Sequence, residues 1–294
     1  MRRIGFRTIP EGIGGDAAMV QAMIPPRLAL TEVVLPAGAA SNGGGDAASL
    51  CAWLAGHCLT GLRPAATQGQ NLVLLGRLAG RPVHVKVRRS SHRHRLLKER
   101  DWLARAAVLR IPVPLCVGFH DGDGWCALVV VSGPQTRCRW RPAAWHRAIA
   151  PLAGLVPPAG WGPLRADGRP RWRSREDWAV WSSALADADV DRELLSNYAA
   201  RAVPALIHGD LHRGNRAGDL ILDWESVAVA DPAEEAARLF LAEGGSHAAW
   251  AAAWGVDATD LRWRGACLAT ALEAVRFGGP RQAGARRFLA GSPP

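Results

Sequence analysis

The sequence predicts an α+β protein with two lobes, a small strand-rich N-terminal lobe and a larger, mainly helical C-terminal lobe. Strand patterns concentrate before residue 131, whereas helical patterns rich in Trp and Ala dominate from about residue 139 onward. The length of 294 residues suits two domains better than one small module. We expect a loosely ordered extension or peripheral strand over residues 1–45, an N-terminal lobe over 46–132 and a C-terminal lobe over 133–294.

Strand patterns in the first lobe are clearest in three segments. Asn71–Leu78 is rich in Leu and Val, and Pro82–Val87 alternates so strictly that its three valines share one face. Lys86 and His84 therefore share the opposite face. The third segment, Cys126–Val131, is a continuous apolar run that ends before a Ser-Gly-Pro sequence.

Helical patterns in the same half of the chain cover Asp46–Leu59 and residues 91–109. In the second helix, a rotation of about 100° per residue places Glu99 among apolar side chains rather than on the polar face. Because an unpaired buried carboxylate is costly, we expect Glu99 to pair with Lys86. The alternative is an exposed lysine and a glutamate at the margin of the apolar face.

The most informative segment reads LIHGDLHRGN and begins at Leu206. An apolar strand leads into a polar loop, and after a turn a second apolar strand ends in the sequence DWE. Buried strands that deliver Asp210 and Asp223 to one edge would form a site for a metal and a base. Phosphoryl transfer requires little more from a protein than cations that neutralise the phosphates and an acid that orients the attacking hydroxyl.

These residues resemble the signature of a known family. His-Gly-Asp-x-x-x-x-Asn followed by Asp-Trp-Glu is similar to the motif of the aminoglycoside phosphotransferase/choline kinase superfamily, whose fold is protein-kinase-like. The resemblance covers roughly residues 60–245. It implies that Asp210 is the catalytic base and that Asn215 and Asp223 bind Mg²⁺. It also implies that His208 braces the loop, that ATP is the donor and that a small-molecule hydroxyl is the acceptor.

The resemblance further implies a nucleotide site in the first lobe. Lys86 would contact the phosphates and Glu99 would hold that lysine. The family's glycine-containing phosphate turn, which ends in Asn, corresponds to Gly69 and Asn71. The hinge around Val131 would bind adenine through its backbone.

The sequence Asp-Pro-Ala-Glu-Glu, which begins at Asp231, predicts the start of a helix. Asp231 is the expected N-cap, proline follows at the first helical position, and Glu234 occupies the capping-box position. The family resembled above has Asp-Pro here, followed by an acid that steadies the catalytic loop. Glu234 or Glu235 would have that role.

Acceptor choice is indicated only by charge. A site for a polycationic aminoglycoside needs several carboxylates, and the second lobe is rich in Arg, so choline, thiamine, a sugar or an amino alcohol is the favoured class of acceptor. A run of acids, which could also be a solvated helix or turn, comprises Asp187, Asp189, Asp191 and Glu193.

The central motif around Asp210 has three other interpretations. First, Asp and Asn are common in turns between apolar strands, where they form Asx-turns, so Asp210 could have a purely structural role. His208, Asp210 and His212 alternate, so with Asp223 they could ligate zinc in a metal-dependent hydrolase, although two glycines interrupt a regular strand there. A non-catalytic kinase-like module that binds nucleotide and an anionic partner is the remaining alternative.

Composition indicates which partners and which cellular location to expect. The net charge of +10 favours anionic partners, but it comes almost entirely from Arg, which a GC-rich genome also produces. No apolar run reaches the roughly 18–20 residues of a membrane span, and no signal peptide is evident, so we expect a cytoplasmic protein. The tryptophans do not form the basic–aromatic strip that stacks on bases, so we do not expect nucleic acid as a partner. Six scattered cysteines indicate reduced packing residues.

Overall fold

The computed structural model describes residues 44–68, 71–131, 140–184 and 191–291. The α-helices there are α1 (Gly44–Gly56), α2 (Arg93–Val108), α3 (Pro142–Ala153), α4 (Arg175–Ala184), α5 (Arg192–Arg201), α6 (Pro232–Glu243), α7 (His247–Ala253), α8 (Leu261–Phe277) and α9 (Gln282–Leu289). The strands are β1 (Leu59–Gln68), β2 (Asn71–Leu78), β3 (Arg81–Arg89), β4 (Cys116–Asp121), β5 (Trp125–Val131), β6 (Trp161–Leu164), β7 (Pro170–Trp172), β8 (Ala205–Ile207), β9 (Arg216–Ala217), β10 (Leu220–Ile221) and β11 (Ala228–Ala230).

The chain divides into two compact units. The first contains residues up to Arg93 together with Cys116–Ser132, and the second contains His94–Leu115 and everything from Gly133 onward. The first unit is strand-rich and the second is mainly helical, which confirms the predicted α+β class. Helix α2 belongs almost entirely to the second unit. None of the helices in the described ranges is long and apolar enough to cross a membrane.

The first unit is an antiparallel sheet with strand order β1-β2-β3-β5-β4. The predicted alternation along β3 is confirmed, since Val83, Val85 and Val87 are buried while His84 and Lys86 are half-buried. The valines join a core that α1 covers with Leu50 and Leu54, among other apolar side chains. Burial of these valine side chains is the main contribution of β3 to the stability of the sheet.

The sequence interpretation of the first unit was wrong at its beginning. The predicted helix over Asp46–Leu59 ends at Gly56, and after a turn of two residues the ten residues of Leu59–Gln68 form β1. Gly61 adopts a left-handed φ of 61° and Pro64 lies in the strand, so β1 pairs with β2 through an irregular register. Glycine and proline weaken the strand pattern in the sequence, which is why β1 was missed.

The second unit contains a small antiparallel sheet of order β7-β6-β11-β8 and a separate hairpin of β9 and β10. Ile207 at the end of β8 lies opposite Ala228 at the start of β11. The loop after β8 and the segment before β11 therefore leave the sheet at the same edge. Helices α5, α6, α8 and α9 pack together in the same unit.

Helices α5 and α8 approach each other closely at Gly265. A Cβ atom on this residue would overlap the Cβ and ring of Tyr198, which is fully buried. We expect Gly265→Ala to lower the free energy of unfolding by roughly 1–3 kcal/mol, because overpacking forces neighbouring side chains or helices to shift. Urea unfolding measures this value. Arg264→Ala, on the exposed neighbouring position of α8, should change it little, and equal stability of the two variants would contradict the packing argument.

Candidate active site

His208 fixes the beginning of the polar loop that follows β8. The side chain is fully buried, its Nε2 lies 2.9 Å from the Leu222 carbonyl oxygen, and its Nδ1 accepts a hydrogen bond of 3.3 Å from the Asp210 amide. With Nδ1 as the acceptor, Nε2 carries the proton and donates to Leu222. The ring also meets Trp224 edge-on, with centroids 4.7 Å apart. His208 thus braces the loop through both ring nitrogens.

Glu235 holds the same loop from α6. Its buried carboxylate accepts hydrogen bonds from the Gly209 amide at 2.9 Å and the Leu211 amide at 3.4 Å. Gly209 has a left-handed φ of 83°, and a Cβ there would overlap the backbone carbonyl of Ser226. Only glycine fits this turn, and the residue between the two bonded amides is Asp210.

The side chain of Asp210 remains partly accessible, with 27% of its surface exposed. Asn215 donates from Nδ2 to the Asp210 backbone carbonyl at 2.9 Å and to its Oδ2 at 3.2 Å. On the other side, Oδ1 lies 3.3 Å from Nη1 of Arg281. The structure therefore brings Asp210 and Asn215 together as the sequence predicted, and it adds an arginine that the sequence did not indicate.

Asp223 lies beside this loop, but not for the reason expected. The strand before it, β10, pairs with β9 rather than with β8, so the two acids do not end neighbouring strands. The Leu222 amide instead donates to the Asn215 carbonyl at 2.8 Å. Asp223 itself adopts a left-handed φ of 64°, which is uncommon for a residue other than glycine and is found often at functional sites.

An acidic cluster forms around Asp223. One carboxylate oxygen each from Asp223, Glu225 and Glu99 lie within 4.8 Å of one another. Glu99 is buried on α2, as its position in the apolar arc predicted. Its proposed partner, Lys86, is in the other unit, so that pairing stays a prediction.

Lys98 anchors α2 to the segment after Asp223. Its Nζ donates to the Leu164 carbonyl at 2.8 Å and to the Val227 carbonyl at 3.0 Å. Burial lowers the pKa of Lys98 to about 8, an effect that nearby Glu225 opposes and Arg95 reinforces. The sequence showed no signal for this contact, because it depends on three segments that are distant along the chain.

The geometry does not support the hydrolase alternative. Both ring nitrogens of His208 are engaged within the loop, and Nδ1 of His212 accepts the Gly214 amide at 3.0 Å. Burial is the main factor that lowers the pKa of His212, which favours the neutral ring. In the part of the chain that the structure describes, the group able to hold a cation contains Asp223 but neither histidine.

The predicted nucleotide residues of the first unit are placed only in part. Lys86 lies in the middle of β3, opposite Val73 of β2 and Leu128 of β5. Val131 is the buried last residue of β5. Gly69 and the side chain of Asn71 lie outside the described residues, as does the rest of the hinge.

Comparison with known proteins gives a family. The family model described as "Phosphotransferase enzyme family" matches residues 38–277 of this chain. The chain belongs to the phosphotransferase enzyme family. No curated protein sequence matches it. The predicted resemblance is therefore confirmed at the level of the family.

Solved structures of similar fold include several phosphotransferases. A thermostable mutant of aminoglycoside phosphotransferase APH(4)-Ia has a TM-score of 0.59 at 16% identity, covering 78% of this chain and 94% of its own. A protein described as a fructosamine-3-kinase from Haemophilus somnus 129PT has 0.57 at 16%, covering 83% and 96%. The macrolide 2'-phosphotransferase MphH from Brachybacterium faecium has 0.54 at 19%, covering 81% and 96%. At such identities the likeness establishes the kinase-like fold.

At the start of α6, the structure shows which residue caps the helix and which of the two glutamates holds the loop. Asp231 is the N-cap, accepting from the Ala233 amide at 2.8 Å, and it also binds the Arg262 guanidinium through two contacts of 2.7 Å. The capping-box prediction for Glu234 was wrong. Its carboxylate accepts from the Tyr198 hydroxyl at 2.8 Å and contacts Arg238 at 3.3 Å, so of the two glutamates it is Glu235 that holds the loop around Asp210.

Replacing Glu235 tests how far the loop depends on this carboxylate. In Glu235→Gln, the amide group would present a donor to a backbone donor, so we expect the free energy of unfolding to fall by about 2–3 kcal/mol. Chemical unfolding measures the change. Glu193→Gln, on the exposed first turn of α5, is the matched control and should match the unchanged protein. A stable Glu235→Gln protein would mean that other contacts fix the loop.

Glu234 should make stability depend on pH. Burial raises the pKa of Glu234 from 4.5 to about 7, against the opposing effect of Arg238. Between these values the folded state holds a proton that the unfolded state has released, so this residue's contribution to stability falls as pH rises, by at most about 1.4 kcal/mol per pH unit. Glu234→Gln should remove that slope, which urea titrations across the window would detect. Parallel pH profiles for the two proteins would contradict the raised pKa.

Proposed function

We propose that this family member is a small-molecule kinase that transfers the γ-phosphate of ATP to a hydroxyl group in the presence of Mg²⁺. The observation that carries the proposal is the arrangement around Asp210, a partly exposed carboxylate on a loop fixed by Glu235, with Asn215 in contact and the Asp223 segment joined to it. Phosphoryl transfer depends mainly on positioning and charge stabilisation, which such a loop supplies.

The donor set suits a hard cation. Nδ2 of Asn215 is engaged by Asp210, which leaves the amide oxygen as the group that faces a ligand. Together with the Asp223 carboxylate this is an oxygen site of the kind that Mg²⁺ accepts, and Mg²⁺ would neutralise the phosphate oxygens there. The Asp223 carboxylate also lies within 4.8 Å of oxygens from Glu99 and Glu225, so the site is rich in oxygen donors.

Asp210 would act on the acceptor. Its free carboxylate surface accepts the hydroxyl proton while the hydroxyl oxygen attacks the γ-phosphorus and the bond to the ADP oxygen breaks. The proton then leaves Asp210 for water, which restores the carboxylate. Burial is the main cause of the lowered pKa of His212, which makes its ring a weaker base beside Asp210.

Nucleotide binding is proposed for the residues of the first unit. Lys86 would bind the phosphates, with Glu99, Gly69 and Asn71 in the supporting roles that the family resemblance implies, and the Val131 backbone would meet adenine. The structure of APH(4)-Ia with ADP and hygromycin B, at a TM-score of 0.60, supports the use of an adenine nucleotide by this fold. The cytoplasmic location, where ATP is available, stays a prediction.

A metabolic acceptor remains the favoured class. Of the acids proposed as a surface for a polycation, Asp187 and Asp189 lie outside the described residues. Asp191 is engaged as the N-cap of α5, where its side chain accepts from the Leu194 amide at 2.8 Å. The preference for a small hydroxylated metabolite over an aminoglycoside rests on the excess of Arg in the second lobe, which disfavours a polycationic acceptor.

Asp210→Asn tests the proposed chemistry. The amide keeps the size of the carboxylate but cannot accept the proton, so we expect acceptor-dependent ATP turnover to fall roughly 10²–10⁴-fold while nucleotide affinity changes little. Release of ADP in the presence of Mg²⁺ measures turnover, and calorimetry measures nucleotide affinity. The exposed Asp257→Asn is the control. Nucleotide binding without turnover by the unchanged protein, across a broad panel of hydroxyl compounds, would favour the non-catalytic binding module.

A further inference from the structure

The two oxygens of the Asp210 carboxylate face different surroundings. Oδ2 lies 3.2 Å from Nδ2 of Asn215 and 4.0 Å from Nε2 of His212. Oδ1 faces Arg281, whose Nη1 is 3.3 Å away. Because Asn215 belongs to the proposed cation side, the Oδ1 side is the one from which an acceptor hydroxyl would approach. Arg281 therefore stands on the acceptor side.

Arg281 reaches this position from the connection between α8 and α9. It is the N-cap residue of α9, and Gly278 and Gly279 before it have left-handed φ values of 77° and 95°. Only 12% of its side chain is exposed. This connection therefore places the guanidinium group of Arg281 beside the loop that carries Asp210.

Two nitrogens of the Arg281 guanidinium group lack a hydrogen-bond acceptor among the described residues. Nε and Nη1 are buried and make no hydrogen bond to any residue that the structure describes, and the contact with Asp210 is an ion pair without hydrogen-bond geometry. Nη2 is not one of the buried nitrogens that lack a hydrogen bond, and the side chain keeps 12% of its surface exposed. An arginine with unsatisfied donors in a planar fork is suited to a carboxylate or a phosphate.

Apart from Asp210, the neighbouring acids do not supply that anion. Glu273 is bound to Arg238 at 2.8 Å, and Glu235 is engaged by the loop amides. Burial and then the proximity of Arg238 lower the pKa of Arg281, although Asp210 and these two glutamates oppose the change. The positive charge of Arg281 is therefore only partly compensated by the residues around it.

We propose that Arg281 determines acceptor specificity by binding a carboxylate or phosphate group carried by the acceptor near its reacting hydroxyl. The inference rests on the proposed function, because it takes Asp210 as the base. An anionic acceptor that draws the guanidinium to itself would also free Oδ1 to receive the hydroxyl proton. A cationic acceptor would be repelled by Arg281, and a neutral one would leave its donors unsatisfied.

Matched acceptors test this preference in the unchanged protein. Glycerol, glycerate, glycerol 3-phosphate and 3-aminopropane-1,2-diol share a skeleton and differ in one group, and longer hydroxy acids, sugar phosphates, polyols and amino alcohols extend the set. Acceptor-dependent ADP release and mass spectrometry of the product are measured with Mg²⁺ and ATP. We expect kcat/KM for a carboxylate or phosphate acceptor to exceed that of its neutral and cationic counterparts roughly ten- to hundredfold. The carboxylate and phosphate arms distinguish the two anions.

Variants separate a binding role from a structural one. Arg281→Met should raise KM for the anionic acceptor roughly tenfold or more with a smaller effect on kcat, and should erase the preference over the neutral counterpart. Arg281→Lys keeps the charge but loses the fork, so an intermediate KM is expected even if the methionine variant is unstable. Arg276→Met, at an exposed position of α8, removes the same charge and should leave the preference intact.

The possible results distinguish failure of the proposed role of Arg281 from failure of the proposed kinase activity. Preferred phosphorylation of neutral or cationic acceptors, or ATP hydrolysis without transfer to any anionic acceptor, would overturn the role of Arg281 and leave the kinase proposal standing. An unchanged preference in a folded Arg281→Met protein would reduce the arginine to a structural ion pair. If the unchanged protein neither hydrolyses ATP nor transfers phosphate, the proposed function itself fails.

Discussion

The buried carboxylate of Glu235 connects the first turn of α6 to the backbone on both sides of Asp210. It accepts hydrogen bonds from the Gly209 and Leu211 amides, and no surface of the residue is exposed to water. Since those amides replace the water that the carboxylate has lost, displacing the loop would leave a buried charge without its hydrogen bonds. The loop is thus held by its backbone, and the Asp210 side chain stays partly accessible.

Further contacts extend this arrangement to the segment after β10. The Asn215 carbonyl accepts the Leu222 amide, and Lys98 on α2 donates to the Val227 carbonyl on the far side of Asp223. Each of these contacts ends on a main-chain carbonyl, so the backbone is held on both sides of Asp223. A preorganised site of this kind needs little reorganisation when charge develops during transfer.

Sequence reasoning succeeded where the signal is local and failed where it is not. The valine alternation of β3 and the burial of Glu99 follow from periods of two and 3.6 residues, which neighbours along the chain already define. The capping-box prediction for Glu234 was wrong because Tyr198 and Arg238, from other parts of the fold, bind its carboxylate instead. Likewise, the β10 strand that precedes Asp223 pairs with β9 and not with β8.

The sequence by itself determined the α+β class, the family and the chemical identity of the catalytic loop, because these depend on residue types at fixed spacings. Only the tertiary structure decided which residues surround that loop. Arg281 lies far along the chain from Asp210, and Lys98 reaches Val227 across a still longer separation of 129 residues. Such contacts arise from the packing of α2, α8 and α9, and no local pattern encodes them. The proposed base is therefore visible in the sequence, whereas the residue that would select its acceptor is visible only in the fold.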